Sequence, residues 1–338
     1  MLTKLYDNIK KIIYENYKLI LGFFVLLILF TIKLPFYINT PGGVIDISKK
    51  IKIDTPYEIK GSFNFAYVTE ITATIPTLIV AYFNKEWDIL KKEEIVYANE
   101  TLEDVYFRKH LLLDEANQNA ILVAYRYANK EVKIIEEKLY ITYIDIESKT
   151  NLKVGDELLE INDQVIIDRT QINNIIQNTE IGTKIYFKVK RNDKIIDCYA
   201  EPIILEEKKM IGIIINKKRK METDPPIEFN FKESESGPSG GLMMALTIYN
   251  YLIPEDITHG YDIVGTGTID EDGNVGSIGG IEYKLRGIVK AKKKNFLVPA
   301  GENYEEAMKL KNKENFDIEI IPISTFDEAL EYLETLKK

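Results

Sequence analysis

Two residues in this chain have the type and surroundings needed for acyl-transfer chemistry. Glu235-Ser236-Gly237-Pro238-Ser239-Gly240-Gly241 runs directly into the apolar stretch from Leu242 to Leu252. A glycine-flanked serine just ahead of an apolar helix can hold its hydroxyl beside backbone N–H groups that no helical carbonyl satisfies. Such donors can stabilise the oxyanion of a tetrahedral intermediate. Small neighbours let a substrate main chain come close. Gly237, Pro238 and Gly240 are therefore the expected supporting and oxyanion region around a nucleophilic Ser239. Read without chemistry, the same stretch is a helix cap.

The second residue is Lys284. Gly265-Thr266-Gly267-Thr268-Ile269-Asp270 and Gly273-Asn274-Val275-Gly276-Ser277-Ile278-Gly279-Gly280 lead into Ile281-Glu282-Tyr283-Lys284-Leu285-Arg286-Gly287-Ile288. Asp272-Gly273 predicts a tight hairpin. In the helix that follows, Ile281, Lys284 and Ile288 recur at three- and four-residue intervals, so Lys284 shares a face with apolar positions. Desolvation favours the neutral amine, and a neutral amine can take a proton from a serine hydroxyl. The bland alternative is a lysine snorkelling from the core edge. Thr268 is the expected supporting hydroxyl near the lysine. His259, on a Thr-His-Gly turn, offers a histidine-based alternative, although no acid-containing motif accompanies it.

Taken together, the two segments resemble the Lon protease domain. Gly237-Pro238-Ser239-Gly240-Gly241 matches that family's serine signature, and Ile278-Gly279-Gly280-Ile281-Glu282-Tyr283-Lys284 matches its lysine signature. The resemblance implies a serine-lysine dyad of Ser239 and Lys284. The family more often has alanine where this chain has Gly240. Full Lon enzymes carry an ATPase domain, whereas this sequence has no GxxxxGK[ST] phosphate loop. The expected activity is that of an ATP-independent serine endopeptidase acting on peptides or flexible protein segments.

A strand-rich stretch upstream resembles a PDZ domain of the bacterial protease-associated type. The matching residues are Tyr140-Ile141-Thr142, Leu152-Lys153-Val154-Gly155-Asp156-Glu157-Leu158 and Ile161-Asn162-Asp163-Gln164. That resemblance implies peptide capture by strand addition, here along Leu139, Tyr140, Ile141 and Thr142. The chain departs from the pattern where a glycine-rich carboxylate-binding loop should precede Tyr140, offering Glu136-Glu137-Lys138-Leu139 instead. A role as a spacer is the alternative.

These units must be positioned by what precedes them. Leu19 to Ile32 carries no charge, and the apolar run resumes after Lys33. Lys10, Lys11 and Lys18 precede it, which by the positive-inside rule predicts a cytoplasmic N-terminus and an extracytoplasmic catalytic domain. The exit sequence KLPFYINTPGG lacks a small-x-small cleavage pattern, favouring a retained anchor over a cleaved signal peptide.

The expected fold is therefore α+β and multidomain, with an N-terminal transmembrane helix, a PDZ-like domain and a C-terminal α/β Lon-type proteolytic domain. The boundaries are 1–16 for a cytoplasmic N-terminus, 17–38 for the anchor and 39–130 for a membrane-proximal strand and helix region. The PDZ-like domain takes 131–204 and the protease domain 205–338. The whole looks like the membrane-anchored, PDZ-containing Lon-like proteases of Gram-positive bacteria. A membrane-tethered peptide-binding module with an idle hydrolytic site is the alternative.

Composition agrees with this arrangement. Among 338 residues, 53 are acidic and 44 basic, a net charge of −9 that argues against general nucleic-acid binding. Cys198 is the only cysteine, so no intrachain disulfide or thiolate cluster can form. With two histidines, a histidine-rich zinc site is not expected. No metal, cofactor, nucleic-acid or ATP partner is expected; the partners are a peptide or unfolded protein and a lipid bilayer.

Overall fold

The computed structural model describes residues 2–97 and 100–337. It divides into two compact units, Met1–Pro41 with Val68–Ile95, and Gly42–Tyr67 with Val96–Lys338.

The smaller unit begins with helix α1 (Leu2–Thr31). Its apolar part, Ile9–Thr31, is 23 residues long with none of its surface buried. At 1.5 Å per residue this is about 35 Å, enough for a ~30 Å hydrocarbon core. The helix stops at Thr31, short of the expected end at residue 38. Pro35 cannot continue an α-helix and disfavours helical backbone at Leu34. Leu34 N instead donates to Ala73 O at 2.8 Å, and Phe36 opens strand β1 (Phe36–Asp46). Strand β2 (Ser62–Thr72), helix α2 (Ile75–Phe83) and strand β3 (Asp88–Lys91) follow. β3 pairs antiparallel with the start of β1, Phe36 opposite Lys91. Ile38, Ala73 and Ala81 form a small core there.

The larger unit takes the inner parts of β1 and β2, within Gly42–Tyr67, and continues into helix α3 (Leu102–Tyr127). Thr101 and Asp104 form a reciprocal capping box at its start. The PDZ-type sheet follows: β4 (Val132–Ile144), β5 (Glu157–Ile161), helix α4 (Arg169–Asn178), β6 (Ile185–Arg191), β7 (Lys194–Glu201) and β8 (Ile213–Thr223). Their order is β8-β4-β5-β6-β7. Two tight turns carry Asn162, Asp163, Asn192 and Asp193 at positive φ, as type I′ hairpins require. Asp156, buried after the Gly155 turn, takes a bidentate pair from Arg191 at 2.6 and 2.7 Å.

β8 departs from expectation. Residues from 205 onward were assigned to the protease domain, yet β8 joins the PDZ-type sheet, antiparallel to β4 from Ile213↔Ile144 to Thr223↔Val132. Ile213 and Ile215 pack against the core of this sheet. The pairing satisfies a β4 edge that would otherwise present unpaired backbone groups.

The C-terminal part contributes helix α5 (Gly241–Leu252), β9 (Asp262–Gly265), α6 (Ile281–Lys290), β10 (Asn295–Pro299), α7 (Glu302–Glu314), β11 (Glu319–Ile323) and α8 (Phe326–Glu334). β11, β10, β9 and β2 lie side by side, all parallel. The helical crossovers α6 and α7 are what parallel neighbours demand. β2 is thus a core strand of the catalytic sheet, with Ser62–Phe65 beside Asp262–Gly265. The stretch 39–130 is therefore divided: Gly42–Tyr67 and the residues from Val96 onward belong to the larger unit, and Val68–Ile95 to the smaller unit with α1. Through Ala116, Ala120 and Ala124, α3 shares a core with Leu242, Leu246 and Phe326. Before α8, Thr325 Oγ1 accepts from Glu328 N at 3.2 Å, and Glu328 reaches back to Ser324 N.

Candidate active site

The site forms where β9 ends. In parallel α/β sheets, the carboxyl ends of strands open onto the crevice in which ligands bind. Thr266 and Gly267 leave β9 at that end, facing the loop that carries Ser239.

Two features shape the serine loop. Gly237 adopts φ +90, which favours glycine, and its N–H donates to Lys109 O of α3 at 3.1 Å. Glu235 bonds Lys50 Nζ at 2.8 Å and accepts from Lys232 N at 2.8 Å. Burial pushes the Glu235 carboxyl up, but these bonds outweigh it and hold the group below its ordinary range. It fastens the loop. Helix α5 then starts at Gly241 and is buried along nearly its whole length. Gly241 N donates to Pro238 O and Leu242 N to Gly267 O, both at 3.1 Å.

The lysine is held by helix α6. Gly280, at φ 72, turns the chain into the helix. Ile281, Lys284, Leu285 and Ile288 form its buried face, the 3.6-residue stripe read from the sequence. Lys284 is 3% exposed. Burial alone lowers its amine from 10.5 to about 7.

A single hydroxyl connects the two segments. Lys284 Nζ donates to Thr266 Oγ1 at 2.9 Å, and Thr266 Oγ1 donates to the carbonyl oxygen of Ser239 at 3.0 Å. Gly267 N reaches the same carbonyl at 2.8 Å. The hydroxyl that the lysine meets is thus that of Thr266, not Thr268. Thr268 instead lies in the short strand Thr268–Ile269, paired with Val275–Gly276.

The hairpin beyond Thr266 is held by residues that the sequence did not flag. Asn119 Nδ2 donates to Ile269 O at 3.0 Å and Arg126 Nη1 to Glu271 O at 2.8 Å, both from α3. Arg219 of β8 bonds Glu137 at 2.6 Å and also Glu271. The PDZ-type sheet and α3 therefore brace the hairpin that leads into the lysine helix.

Other expected roles are not met. His259 lies before β9 and Thr266 after it, at the other end of a four-residue strand about 13 Å long at ~3.3 Å per residue. Leu139, Tyr140, Ile141 and Thr142 lie in β4, whose edge is taken by β8: Asn216 pairs with Tyr140 and Ile215 with Ile141. On the other side, β5 pairs with Leu139 and Tyr140. Just before β8, Gln177 of α4 and Lys209 exchange bonds at 3.0 and 2.8 Å. The chain itself fills the edge to which a peptide strand was expected to add. Among the described residues, no cluster of three or more His, Cys, Asp or Glu is placed to hold a metal.

Gly240 provides a local test of the packing. It has φ −94, and an added Cβ would meet Phe65 and Met244 at ordinary contact distances of 3.6 and 3.8 Å. Gly240→Ala is expected to keep full peptidase activity and to stabilise the protein by about 0.5–1 kcal/mol, through lost freedom in the unfolded chain. Paired urea melts and initial rates measure both.

Comparison with known proteins places these elements. Residues 232–335 match the Lon protease (S16) C-terminal proteolytic domain, and residues 120–199 match the PDZ domain family. The Lon protease of Campylobacter jejuni is 34% identical over 99 residues, covering 29% of this chain and 12% of that protein. The Lon protease of Campylobacter concisus is 33% identical over 104 residues, covering 31% and 13%. The chain thus spans a small part of these relatives' length. The crystal structure of the PDZ domain of the SdrC-like protein from Listeria innocua is similar at 18% identity and a TM-score of 0.22. That match covers 23% of this chain and 92% of that one.

Proposed function

We infer that this PDZ-containing Lon-like protease is a serine endopeptidase in which Lys284 is the general base for Ser239. The observation that carries the reading is a lysine 3% exposed, its amine brought to about 7, joined through the Thr266 hydroxyl to the main chain of Ser239. A free lysine near 10.4 is protonated at neutral pH and cannot accept a proton; this one is neutral for about half the time at pH 7.

In the proposed reaction, neutral Lys284 Nζ takes the Ser239 Oγ proton as Oγ attacks a peptide carbonyl. The N–H groups of Gly241 and Leu242 are already engaged, so those of Ser239 and Gly240 are the proposed donors to the oxyanion. Lys284, now an ammonium, protonates the leaving amine. Water then attacks the acyl-enzyme with the lysine again as base. Peptides and flexible protein segments are the proposed substrates, with no nucleotide required. Strand addition on β4 is not part of this reading, because β8 covers that edge; this weighs against a peptide-binding module with an idle hydrolytic site.

The apolar helix α1 is the proposed membrane anchor. Lys10, Lys11 and Lys18 lie in its N-terminal part, and by the positive-inside rule they support a cytoplasmic N-terminus and an extracytoplasmic catalytic domain.

The test is the pH dependence of kcat/KM for an unstructured peptide, measured without nucleotide. The active enzyme is the deprotonated one. The rate is expected to rise about tenfold per pH unit below the Lys284 value and to level off above it, with a midpoint near 7. A profile flat from pH 5 to 9 would remove Lys284 as the base.

A further inference from the structure

The smaller unit exposes an apolar surface that its own fold does not use. Helix α2 has no charged residue, and none occurs anywhere from Ile71 to Asn84. Its inner face is accounted for: Ala81 is buried, and Leu78 packs with Phe36, Ile71 and Trp87. The outer face is also apolar. Ile79 is 56% exposed, and Tyr82 and Phe83 are 79% exposed each. The spacing from Ile75 to Ile79 to Tyr82 and Phe83 puts them on one stripe of the helix. With Phe36, Leu78 and Ile89 they line an open apolar groove. A helix that is apolar on both faces is not finished by the small core beneath it.

The position of α2 in the chain identifies its partner. Leu34 N donates to Ala73 O at 2.8 Å, and Ala73 N donates to Phe36 O at 2.9 Å. Ala73 is two residues before α2, and α1 ends at Thr31. Three extended residues, one hydrogen bond and two further residues tether the start of α2 within about 20 Å of the last turn of α1, and the two helices approach within 8 Å, Cα to Cα. If α1 spans a bilayer, as proposed above, that turn lies at the membrane surface. The polar headgroup layer there is about 5–7 Å thick on each side of the hydrocarbon.

We propose that α2 is an interfacial membrane helix, whose Ile79, Tyr82 and Phe83 stripe lies in the headgroup–acyl boundary of the leaflet from which α1 emerges. This rests on the anchor reading. Exposed aromatic side chains suit that boundary, and an apolar stripe of this kind binds by burial of its area in the lipid. The consequence is a domain tied to the membrane at two points, α1 and α2, instead of swinging on one.

The test uses the full chain in phosphatidylcholine–phosphatidylglycerol vesicles. Single cysteines are introduced as Phe83→Cys in α2, Phe24→Cys in α1 and Ile195→Cys on the exposed face of β7, each carrying an environment-sensitive fluorophore. Cys198 is buried and does not compete for label. Vesicles containing lipid with a nitroxide near the head of the acyl chain are expected to quench the Phe83 and Phe24 labels at least about two-fold and the Ile195 label not at all. Tyr82→Glu with Ile79→Glu changes only exposed positions, and it is expected to abolish quenching at Phe83 while leaving Phe24 quenched. A quenched Phe24 label beside an unquenched Phe83 label overturns the interfacial helix and leaves the anchor standing. An unquenched Phe24 label overturns the anchor, and the proposal with it. A blue-shifted Phe83 label that lipid does not quench, with cross-linking between copies, assigns the surface to a second copy of the chain and also overturns the proposal.

Discussion

Lys284→Met is expected to abolish cleavage and, at the same time, to make the protein more stable. Methionine matches the length of the lysine stem and its apolar surroundings, but it has no basic group. Loss of the general base is expected to lower kcat by about a thousandfold or more. The gain in stability follows from the titration. The amine lies at 10.5 when exposed and at about 7 in the fold. The difference corresponds to roughly 5 kcal/mol, at 1.36 kcal/mol per unit. Between these values the unfolded chain binds more protons than the folded one, so this group makes stability rise with pH through that window. Below pH 7 its cost to folding is complete; by about pH 10 it has nearly vanished. Methionine removes that cost but leaves the Thr266 hydroxyl without its lysine partner, which takes back about 1–3 kcal/mol. The net gain is therefore about 2–4 kcal/mol at pH 7 and turns into a net loss of up to about 2 kcal/mol by pH 10. Urea melts of the wild type and the variant at pH 7 and pH 10 measure it. A variant less stable than the wild type at pH 7 would mean the amine is not held neutral by burial.

That prediction was within reach of the sequence, because one helix face carried it. Ile281, Lys284 and Ile288 at helical spacing announced a buried lysine, and α6 buries it. The tight turns at Asn162-Asp163 and Asn192-Asp193 were equally local, set by residues that tolerate positive φ. The pairings between distant segments were not legible. β2 and β9 lie side by side, yet either strand alone offers only an apolar run that many partners could satisfy. The edge of β4 illustrates the same limit. Its sequence marked it as a strand able to accept another, and it does accept one; that the guest is Ile213–Thr223 of the same chain is fixed by tertiary packing. Thr266 was missed for a subtler reason. Thr266 and Thr268 both follow glycines, and which hydroxyl meets the lysine depends on where β9 ends and the chain turns.

Ser239→Ala is expected to lose cleavage as completely as Lys284→Met, and the combination is expected to lose no more than either alone. The alanine variant keeps the loop, since Gly237 at φ +90 and the Glu235–Lys50 pair set its course without the hydroxyl. The Ser239 carbonyl, which takes the Thr266 and Gly267 bonds, is a main-chain group and survives the substitution. Substrate binding should therefore persist, making Ser239→Ala a trap for bound polypeptide. Groups that act as one unit in a single proton transfer are grossly non-additive: once the nucleophile is gone the base has nothing to deprotonate, and once the base is gone the hydroxyl is not activated. If each single variant lowers kcat/KM about a thousandfold, independent action would give about a millionfold loss in the double variant. A shared step gives about a thousandfold again, the residue being supplied by binding and the oxyanion donors. Rates of the two single variants and the double variant on one unstructured peptide decide between these outcomes. Multiplicative losses would show that Ser239 and Lys284 serve separate steps, and the dyad would have to be abandoned even though both residues matter.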